Sequence, residues 1–313
     1  MTAPDFATGS PLDFALVSVA SLEASLAFYR DRLGLAASAI AAVPHCAVGF
    51  LDGSVQPARA AMCAEPGTPA GRVLLVEYAG RSGRTVRQPG DRTTRGYWNL
   101  NFYVDDIRAT ARTLRAEGFE FWSEPVTHNL GEAAGTATEV LFEGPDSVAI
   151  NLVQPEGGPE TLTGRVFAEV QRHGKTPRGF TPVATTAHCV HALSRAVPFY
   201  QGVLGMHVVI DTTLSKPETN VFLQRPRDAR THTMFVAGSH FFGKIALNEP
   251  QNFAVPERVA DAHAPRIGYL LQGCSQPISR RRNAPGARSP TGRRGASSCV
   301  DCRGCPTARH CRA

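Results

Sequence analysis

The stretch Leu12–Leu35 reads LDFALVSVASLEASLAFYRDRLGL, and its pattern returns at Thr185–Met206 as TTAHCVHALSRAVPFYQGVLGM. Each copy opens with a short run of alternating apolar and small residues, which is typical of a strand. It continues with apolar residues spaced for one face of a helix. Gly34 and Gly205 follow the two helices, where a left-handed residue commonly ends a helix. The copies match at one constant offset, which indicates an internal repeat.

A third, more diverged copy runs from Tyr97 to Phe121. It has a strand pattern at Asn99–Val104, a capping residue at Asp106 and a glycine after the helix at Gly118. The strand–helix unit is therefore the element around which the chain is organised.

The recurring residues are Leu22, Ser25, Phe28, Tyr29, Leu33, Gly34 and Leu35 in the first copy, and Leu193, Phe199, Tyr200, Leu204, Gly205 and Met206 in the later one. This pattern resembles the vicinal oxygen chelate superfamily, which includes glyoxalase I, extradiol ring-cleaving dioxygenases and bleomycin-resistance proteins. The resemblance implies an α+β fold of tandem βαβββ modules, in which two modules form a half-barrel cup for a ligand. It predicts the fold and not the reaction, because the superfamily carries many reactions on one scaffold.

On this template the chain divides into five segments: a disordered lead-in (1–11), a first domain of two modules (12–154), a linker (155–181), a second domain (182–273) and a tail (274–313). Modules one and two are expected to build one cup and to fold independently. Their later strands are expected near 37–43, 46–52, 72–78, 119–124, 137–143 and 147–154. The Pro/Gly-rich linker has a short helix near 166–172. In the second domain the fourth module is incomplete after its first strand at 266–271, which would expose an apolar face.

The tail from Cys274 onward has no Leu, Phe, Met, Tyr or Trp. It has too little apolar surface for further strands, so the preferred interpretation is a disordered segment that results from a shifted reading frame. The alternative is a metal-binding appendage, because Cys299, Cys302, Cys305 and Cys311 have zinc-like spacing.

Charge is distributed unevenly along the chain. The tail holds nine arginines and one aspartate, whereas the remainder has 24 basic and 26 acidic residues. Nucleic acid is therefore not an expected partner of the folded part. No stretch has the ~20 apolar residues of a membrane span, and no apolar run follows Met1. We expect a cytoplasmic protein, and the resemblance allows a homodimer.

In metal-dependent members of the superfamily, the ligands come from the first and last strands of each module. The corresponding positions here are Phe14, Leu74, Asn99, Asn151, Thr185, Ala246 and Arg266. None of them supplies the imidazole or carboxylate groups that a divalent cation prefers, and two amides alone bind weakly. We therefore expect no metal cofactor, and a divalent metal only if the protein is an enzyme.

The first cup is expected to carry a polar set instead. Strand alternation predicts one shared face for Asn99, Asn101 and Tyr103, with Asn151 nearby. The facing wall would be apolar and would include Phe14, Leu16, Leu74, Val76 and Tyr78. Such a cup suits a small organic ligand with hydroxyl or carbonyl groups. The alternative is that the asparagines only satisfy strand ends.

One histidine is a candidate catalytic residue. His232, in the segment RTHTM, is similar to the acid–base histidine of extradiol dioxygenases. A surface histidine is the alternative. Two function classes therefore remain open: a metal-free protein that binds a small organic molecule, and a metal-dependent lyase, isomerase or ring-cleaving dioxygenase.

Overall fold

The computed structural model describes residues 9–44, 56–80, 83–129, 132 and 135–274. The predicted strand near 46–52 and the tail cysteines Cys299, Cys302, Cys305 and Cys311 lie outside the described residues, as do positions 1–8 of the expected lead-in. By contacts the chain divides into two units, 1–277 and 278–313, and the second unit also lies outside the described residues.

The described residues of the first module form one helix and five strands. They are β1 (Leu12–Ser18), α1 (Leu22–Leu26, continued by a π-helical turn at Ala27–Arg32), β2 (Ala36–Ala37), β3 (Ala41–Val43), β4 (Ala58–Ala64) and β5 (Arg72–Tyr78). The Ser21 hydroxyl caps α1 by accepting from the Ala24 amide. Gly34 then takes a left-handed φ of 77°, as its position after the helix predicts.

The second and third modules repeat this order. The second has β6 (Gly96–Tyr103), α2 (Ile107–Ala116), β7 (Val126–Asn129), β8 (Thr136–Glu143) and β9 (Ala149–Glu156). A connecting helix, α3 (Leu162–His173), precedes the third module. That module has β10 (Thr185–Cys189), α4 (Leu193–Gly202), β11 (His207–Leu214), α5 (Pro217–Phe222), β12 (Thr231–Ala237) and β13 (Lys244–Pro250). The last described strand is β14 (Gly268–Cys274).

The strands of the described segments form two sheets. One has six strands in the order β14-β1-β5-β4-β2, with β3 also paired to β4. The other has eight strands in the order β11-β12-β13-β10-β6-β9-β8-β7. The mixed sheets and their helices confirm the predicted α+β class.

The prediction that modules one and two share one cup is wrong. Strand β6 of module two pairs antiparallel with β10 of module three, in a register that sets Leu100 opposite Thr186. Strand β1 pairs instead with β14, which sets Leu16 opposite Leu271. Local sequence defines each module but not its partner, because every first strand offers the same kind of free edge. The predicted domain boundaries stay a prediction, and they do not coincide with the sheets.

An incomplete fourth module therefore does not have the expected consequence, which was an exposed apolar face on module three. The apolar face that was expected to be exposed on module three is covered, because Phe222 and Leu223 of α5 pack with Ala187 of β10 and Ala246 of β13 in one buried cluster. Strand β14 adds to module one. The inner face of that sheet is covered by loop residues, since Val86, Ala262 and Ala264 pack with Leu16 and Tyr78.

Several element predictions differ from the structure. The segment 119–124 contributes only one isolated bridge, from Phe121 to Phe142, and the strand that follows α2 is β7. The linker helix α3 is longer than predicted, since Thr161 caps it one turn earlier. Strand β4 and helix α5 were not predicted, because small residues and a proline weaken their local signals.

The helix-bearing sides of the sheets share one apolar core. Phe28 of the π-helical turn lies 5.3 Å from Phe119 and 6.2 Å from Phe142 between ring centroids. Leu100 and Phe102 of β6 are fully buried in the same core. Within the described ranges, no helix has the length and apolar content that crossing a membrane requires.

Candidate functional site

The candidate site is the face of the eight-stranded sheet that points away from helices α2 and α4, which we call the cup face. Register places Asn151, Asn101, Thr185 and Lys244 side by side on β9, β6, β10 and β13. Neighbours in register share one face of a sheet, so these four side chains form a row across its centre. Leu100 and Leu152, on the other face, join the core that contains the helices.

A second row lies next to the first and is mostly apolar. Asn99 is in register with Ala149 on one side and Ala187 on the other, and Ala246 follows on β13. The Asn99 Oδ1 accepts a hydrogen bond from the Ala187 amide at 2.8 Å. Asn99 is therefore a satisfied structural residue, in contrast to its neighbours.

The cup face carries buried polar atoms that have no hydrogen-bond partner among the described residues. They are Asn101 Oδ1, Asn151 Oδ1, Trp98 Nε1, Trp122 Nε1 and His128 Nε2. The two indole rings stack, with centroids 6.2 Å apart and an interplanar angle of 11°. They pack with Leu141, Ala149 and Ala187 in one cluster. Unpaired polar atoms in such surroundings are rare in folded proteins, and a ligand is one way to satisfy them.

Two ionisable side chains also belong to the cup face. The Glu139 carboxylate accepts a hydrogen bond of 2.7 Å from Asn151 Nδ2. Lys244 donates to the Phe241 carbonyl, and its Nζ lies 4.0 Å from the centroid of the Phe241 ring. Burial lowers the pKa of Lys244 to about 7 and raises the pKa of Tyr103, at the same end of the face, to about 12.

Helix α5 covers part of the cup face. Phe222 and Leu223 pack into the tryptophan cluster. The His128 ring lies 4.7 Å from the Phe222 ring, and its Nδ1 lies 3.4 Å from Thr219 Oγ1. Burial lowers the pKa of His128, so the ring is neutral near pH 7.

A cavity of about 220 Å³ opens beside the end of α5. It is lined by residues from three loops: Gly90, Asp91, Arg92, Thr93, Gln224, Arg225, Pro226, Phe253, Ala254, Val255 and Pro256. The cavity borders the tryptophan cluster, because Val255 packs against that cluster and the Arg92 guanidinium lies 5.0 Å from the Trp122 ring centroid. We call this cavity the mouth of the cup.

The central row does not fit a divalent cation. Asn101 and Asn151 offer neutral oxygens, Thr185 a hydroxyl, and Lys244 a competing nitrogen that is partly charged near pH 7. Across the described residues, no group of three or more His, Cys, Asp or Glu side chains is placed to share a metal ion. The predicted ligand positions Asn99, Asn151, Thr185 and Ala246 also fall in two different rows.

The other predicted site residues lie elsewhere. Phe14, Leu74 and Tyr78 belong to the inner face of the six-stranded sheet, so they do not form a wall opposite Asn101. Arg266 precedes β14 and forms an ion pair of 3.0 Å with Asp261.

His232 does not reach the cup face. Its Nε2 lies 2.7 Å from Asp211 Oδ1, and its side chain is 30% exposed. It is in register with Glu249, whose carboxylate accepts from the Leu193 amide at the start of α4. We therefore do not include His232 in the site.

Sequence reasoning missed several residues of the cup face, among them Lys244, Trp98, Trp122 and His128. Lys244 stands two positions before Ala246, so the alternation that selected Ala246 also marks Lys244. Trp98 falls at a β-bulge between β6 and β10, and simple alternation assigns it to the helix-bearing face. Trp122 lies in the segment 119–124, which was predicted to be a strand. His128 lies in β7, the strand that follows this segment.

The amino-acid sequence and the fold both relate the chain to known proteins. Residues 12–152 match the family model of the Glyoxalase/Bleomycin resistance protein/Dioxygenase superfamily. No curated protein sequence matches the chain. The fold is similar to glyoxalase I from Zea mays, with a TM-score of 0.51 and 15% identity over 78% of this chain and 69% of that chain.

A candidate dioxygenase from Bacillus subtilis is also similar, with a TM-score of 0.50 and 12% identity over 79% of this chain and 66% of that chain. At these identities the likeness shows the fold alone. With the sequence match, it leads to one conclusion: residues 12–152 resemble the Glyoxalase/Bleomycin resistance protein/Dioxygenase superfamily in sequence, and the chain shares the fold of glyoxalase I.

Proposed function

We propose that the protein binds a small organic molecule on the cup face of the eight-stranded sheet, without a metal ion. The observation that supports this most strongly is the set of unpaired buried polar atoms, above all Asn101 Oδ1 and Asn151 Oδ1. A buried polar group without a partner costs about 1–3 kcal/mol. A ligand that supplies the missing partners recovers this free energy on binding.

The chemistry of these atoms describes the ligand. The amide oxygens accept hydrogen bonds, and the Trp98 and Trp122 indoles donate them. The surrounding side chains are apolar, with Leu141 and Ala149 among them. A compact aromatic molecule with both hydroxyl and carbonyl groups matches this pattern. The metal-dependent reactions of relatives do not fit the central row, so we propose binding and not metal catalysis.

Two further properties belong to the same proposal. We propose a cytoplasmic location, which agrees with the free thiols at Cys63, Cys189 and Cys274. We also propose that the folded part does not bind nucleic acid, because residues 1–273 hold fewer basic than acidic groups. A homodimer is compatible with both.

The test is calorimetric titration of chelator-treated protein with 4-hydroxybenzamide, a neutral compound that carries a donor and an acceptor. Wild-type protein is expected to bind it. Asn101→Leu and Asn151→Leu should each weaken binding by about 1–3 kcal/mol, because each removes an acceptor from the cup. The matched control is Asn248→Leu, since Asn248 is bonded to Thr233 on the same sheet. Binding that requires added metal, or that survives both cup variants unchanged, contradicts the proposal.

A further inference from the structure

Arg225 is a partly buried arginine that has no acidic partner. Its Nε donates to Thr93 Oγ1 at 3.1 Å, and its Nη1 donates to Thr231 Oγ1 at 2.9 Å. Within the described part of the chain, no carboxylate forms an ion pair with it, and its Nη2 has no hydrogen-bond partner. Burial lowers the pKa of its guanidinium to about 10, which reflects how closely protein atoms surround this charge.

Arg87, another buried arginine, has the carboxylate partner that Arg225 lacks among the described residues. Arg87 is 2% exposed, yet its Nη1 lies 2.9 Å from the Glu143 carboxylate and 2.8 Å from the Ser147 carbonyl. Buried charges in folded proteins are normally paired in this way. Arg225 has only two neutral hydroxyls, so its surroundings are built for a negative group that this chain does not supply within the described residues.

The position of Arg225 defines where that group would lie. Arg225 lines the mouth of the cup, the cavity of about 220 Å³ beside the end of α5. Arg92, the second cation on its wall, also lacks an acidic partner among the described side chains. The one acidic residue of the wall, Asp91, is already neutralised, because Arg258 binds its carboxylate with contacts of 2.8 and 3.2 Å. The cavity therefore has an excess of positive charge.

The remaining wall is apolar. Phe253 lies under the Arg225 guanidinium, with 5.5 Å between the charge centre and the ring centroid. Val255 connects the cavity to the tryptophan cluster of the cup face. An aromatic molecule whose ring lies in this cavity, against Phe253 and beside the tryptophan cluster, would place an acidic group at Arg225.

We propose that the mouth of the cup binds the carboxylate of the ligand through Arg225, with Arg92 adding a second positive charge. This rests on the proposed function and narrows it to aromatic acids. A guanidinium offers a planar pair of N–H donors that matches the two oxygens of a carboxylate. The two threonine hydroxyls fix the plane of that pair.

The test compares 4-hydroxybenzoate with 4-hydroxybenzamide, which have similar shape and differ in charge. Calorimetric titrations at one ionic strength use the full chain, Arg225→Met, Arg225→Lys and the control Arg195→Met, an exposed arginine on α4. Wild-type protein and the control should bind the acid on the order of ten-fold more tightly than the amide. Arg225→Met should lose this preference, and Arg225→Lys should keep part of it.

Three results would overturn the inference. Equal binding of the two compounds by wild-type protein would show that the mouth of the cup has no anion site, whereas the proposed function would still stand. A preference for the acid that persists in Arg225→Met assigns the anion to another group. Failure of both compounds to bind removes the inference together with the proposed function. If Arg225→Met does not fold, Thr93→Val replaces it in the test. Thr93→Val keeps the charge of Arg225 but removes one of its hydrogen bonds, so it should reduce the preference for the acid over the amide.

Discussion

At the scale of single residues, two asparagines of β6 differ in a way that stability measurements can detect. Asn99 accepts a hydrogen bond from the Ala187 amide, whereas Asn101 Oδ1 is buried with no partner among the described residues. Asn99→Leu should lower the free energy of unfolding by about 1–3 kcal/mol, since it leaves a buried amide unpaired. Asn101→Leu should leave it unchanged or raise it. Urea unfolding of both variants checks this, and an equal loss in both would mean that Asn101 is structural.

Lys244 predicts a pH dependence of stability. Burial lowers its folded-state pKa to about 7, below the ordinary value of 10.5 for a lysine. Between these values the unfolded chain binds more protons than the folded one, so stability rises with pH. The penalty for a buried charge is complete below pH about 7 and disappears as the pH approaches 10.5.

The measurement is urea unfolding of wild-type protein and Lys244→Met between pH 6 and pH 10. The stability of wild-type protein relative to Lys244→Met should increase steadily with pH over that interval. A difference that is constant across the series would show that Lys244 titrates normally in the folded protein.

Part of the site was accessible from sequence at this scale. Alternation along β6 correctly grouped Asn101 with Asn99 and Tyr103 on one face. It could not distinguish the satisfied Asn99 from the unpaired Asn101, because the bond to Ala187 crosses between modules. The mouth of the cup, with Arg225 and Arg92 on its wall, is assembled from three separate loops, so no local sequence signal marks it.

At the scale of elements, helix α5 is the part that covers the cup face. Phe222 is 4% exposed and contacts His128 and the tryptophan cluster. Phe222→Ala should lower the free energy of unfolding by about 3–5 kcal/mol, as for other buried phenylalanines. It should also increase the quenching of tryptophan fluorescence by acrylamide, since the cover over Trp98 and Trp122 is reduced.

Val221→Ala is the matched control for this helix. Val221 is 53% exposed and precedes Phe222 on the same turn. Its replacement should change neither stability nor acrylamide quenching appreciably. If the two variants behave alike, α5 does not cover the tryptophans in solution.

Elements with strong local signals were predicted well. Strand β5 has the predicted bounds, and the glycines after α1, α2 and α4 all take positive φ values, at Gly34, Gly118 and Gly205. The segment 119–124 was predicted as a strand of the second module. Its Phe119 and Phe121 instead pack against the shared core between the sheets, a long-range contact that periodicity does not reveal.

At the scale of the whole molecule, the pairing of β6 with β10 decides which parts fold together. The expectation that 12–154 folds alone assumed that modules one and two share a sheet. In the structure, β1 pairs with β14 and β6 with β10, so each sheet uses strands from both halves of the chain. We expect the amides of β6 and β10 to exchange with solvent in one cooperative opening. Hydrogen exchange checks this, and strong protection of β6 in a fragment ending at Gln154 would contradict it.

The central claim is a metal-free binding site on the cup face, and intrinsic tryptophan fluorescence can report on that site. The chain has two tryptophans, Trp98 and Trp122, and both lie in the cluster of that face. The decisive measurement is tryptophan fluorescence of chelator-treated protein during titration with 4-hydroxybenzoate, in parallel with calorimetry. A saturable change in fluorescence with the same midpoint as the heat signal is the predicted result. Binding heat without any change in fluorescence, or a change that appears only after metal is added, would contradict the account.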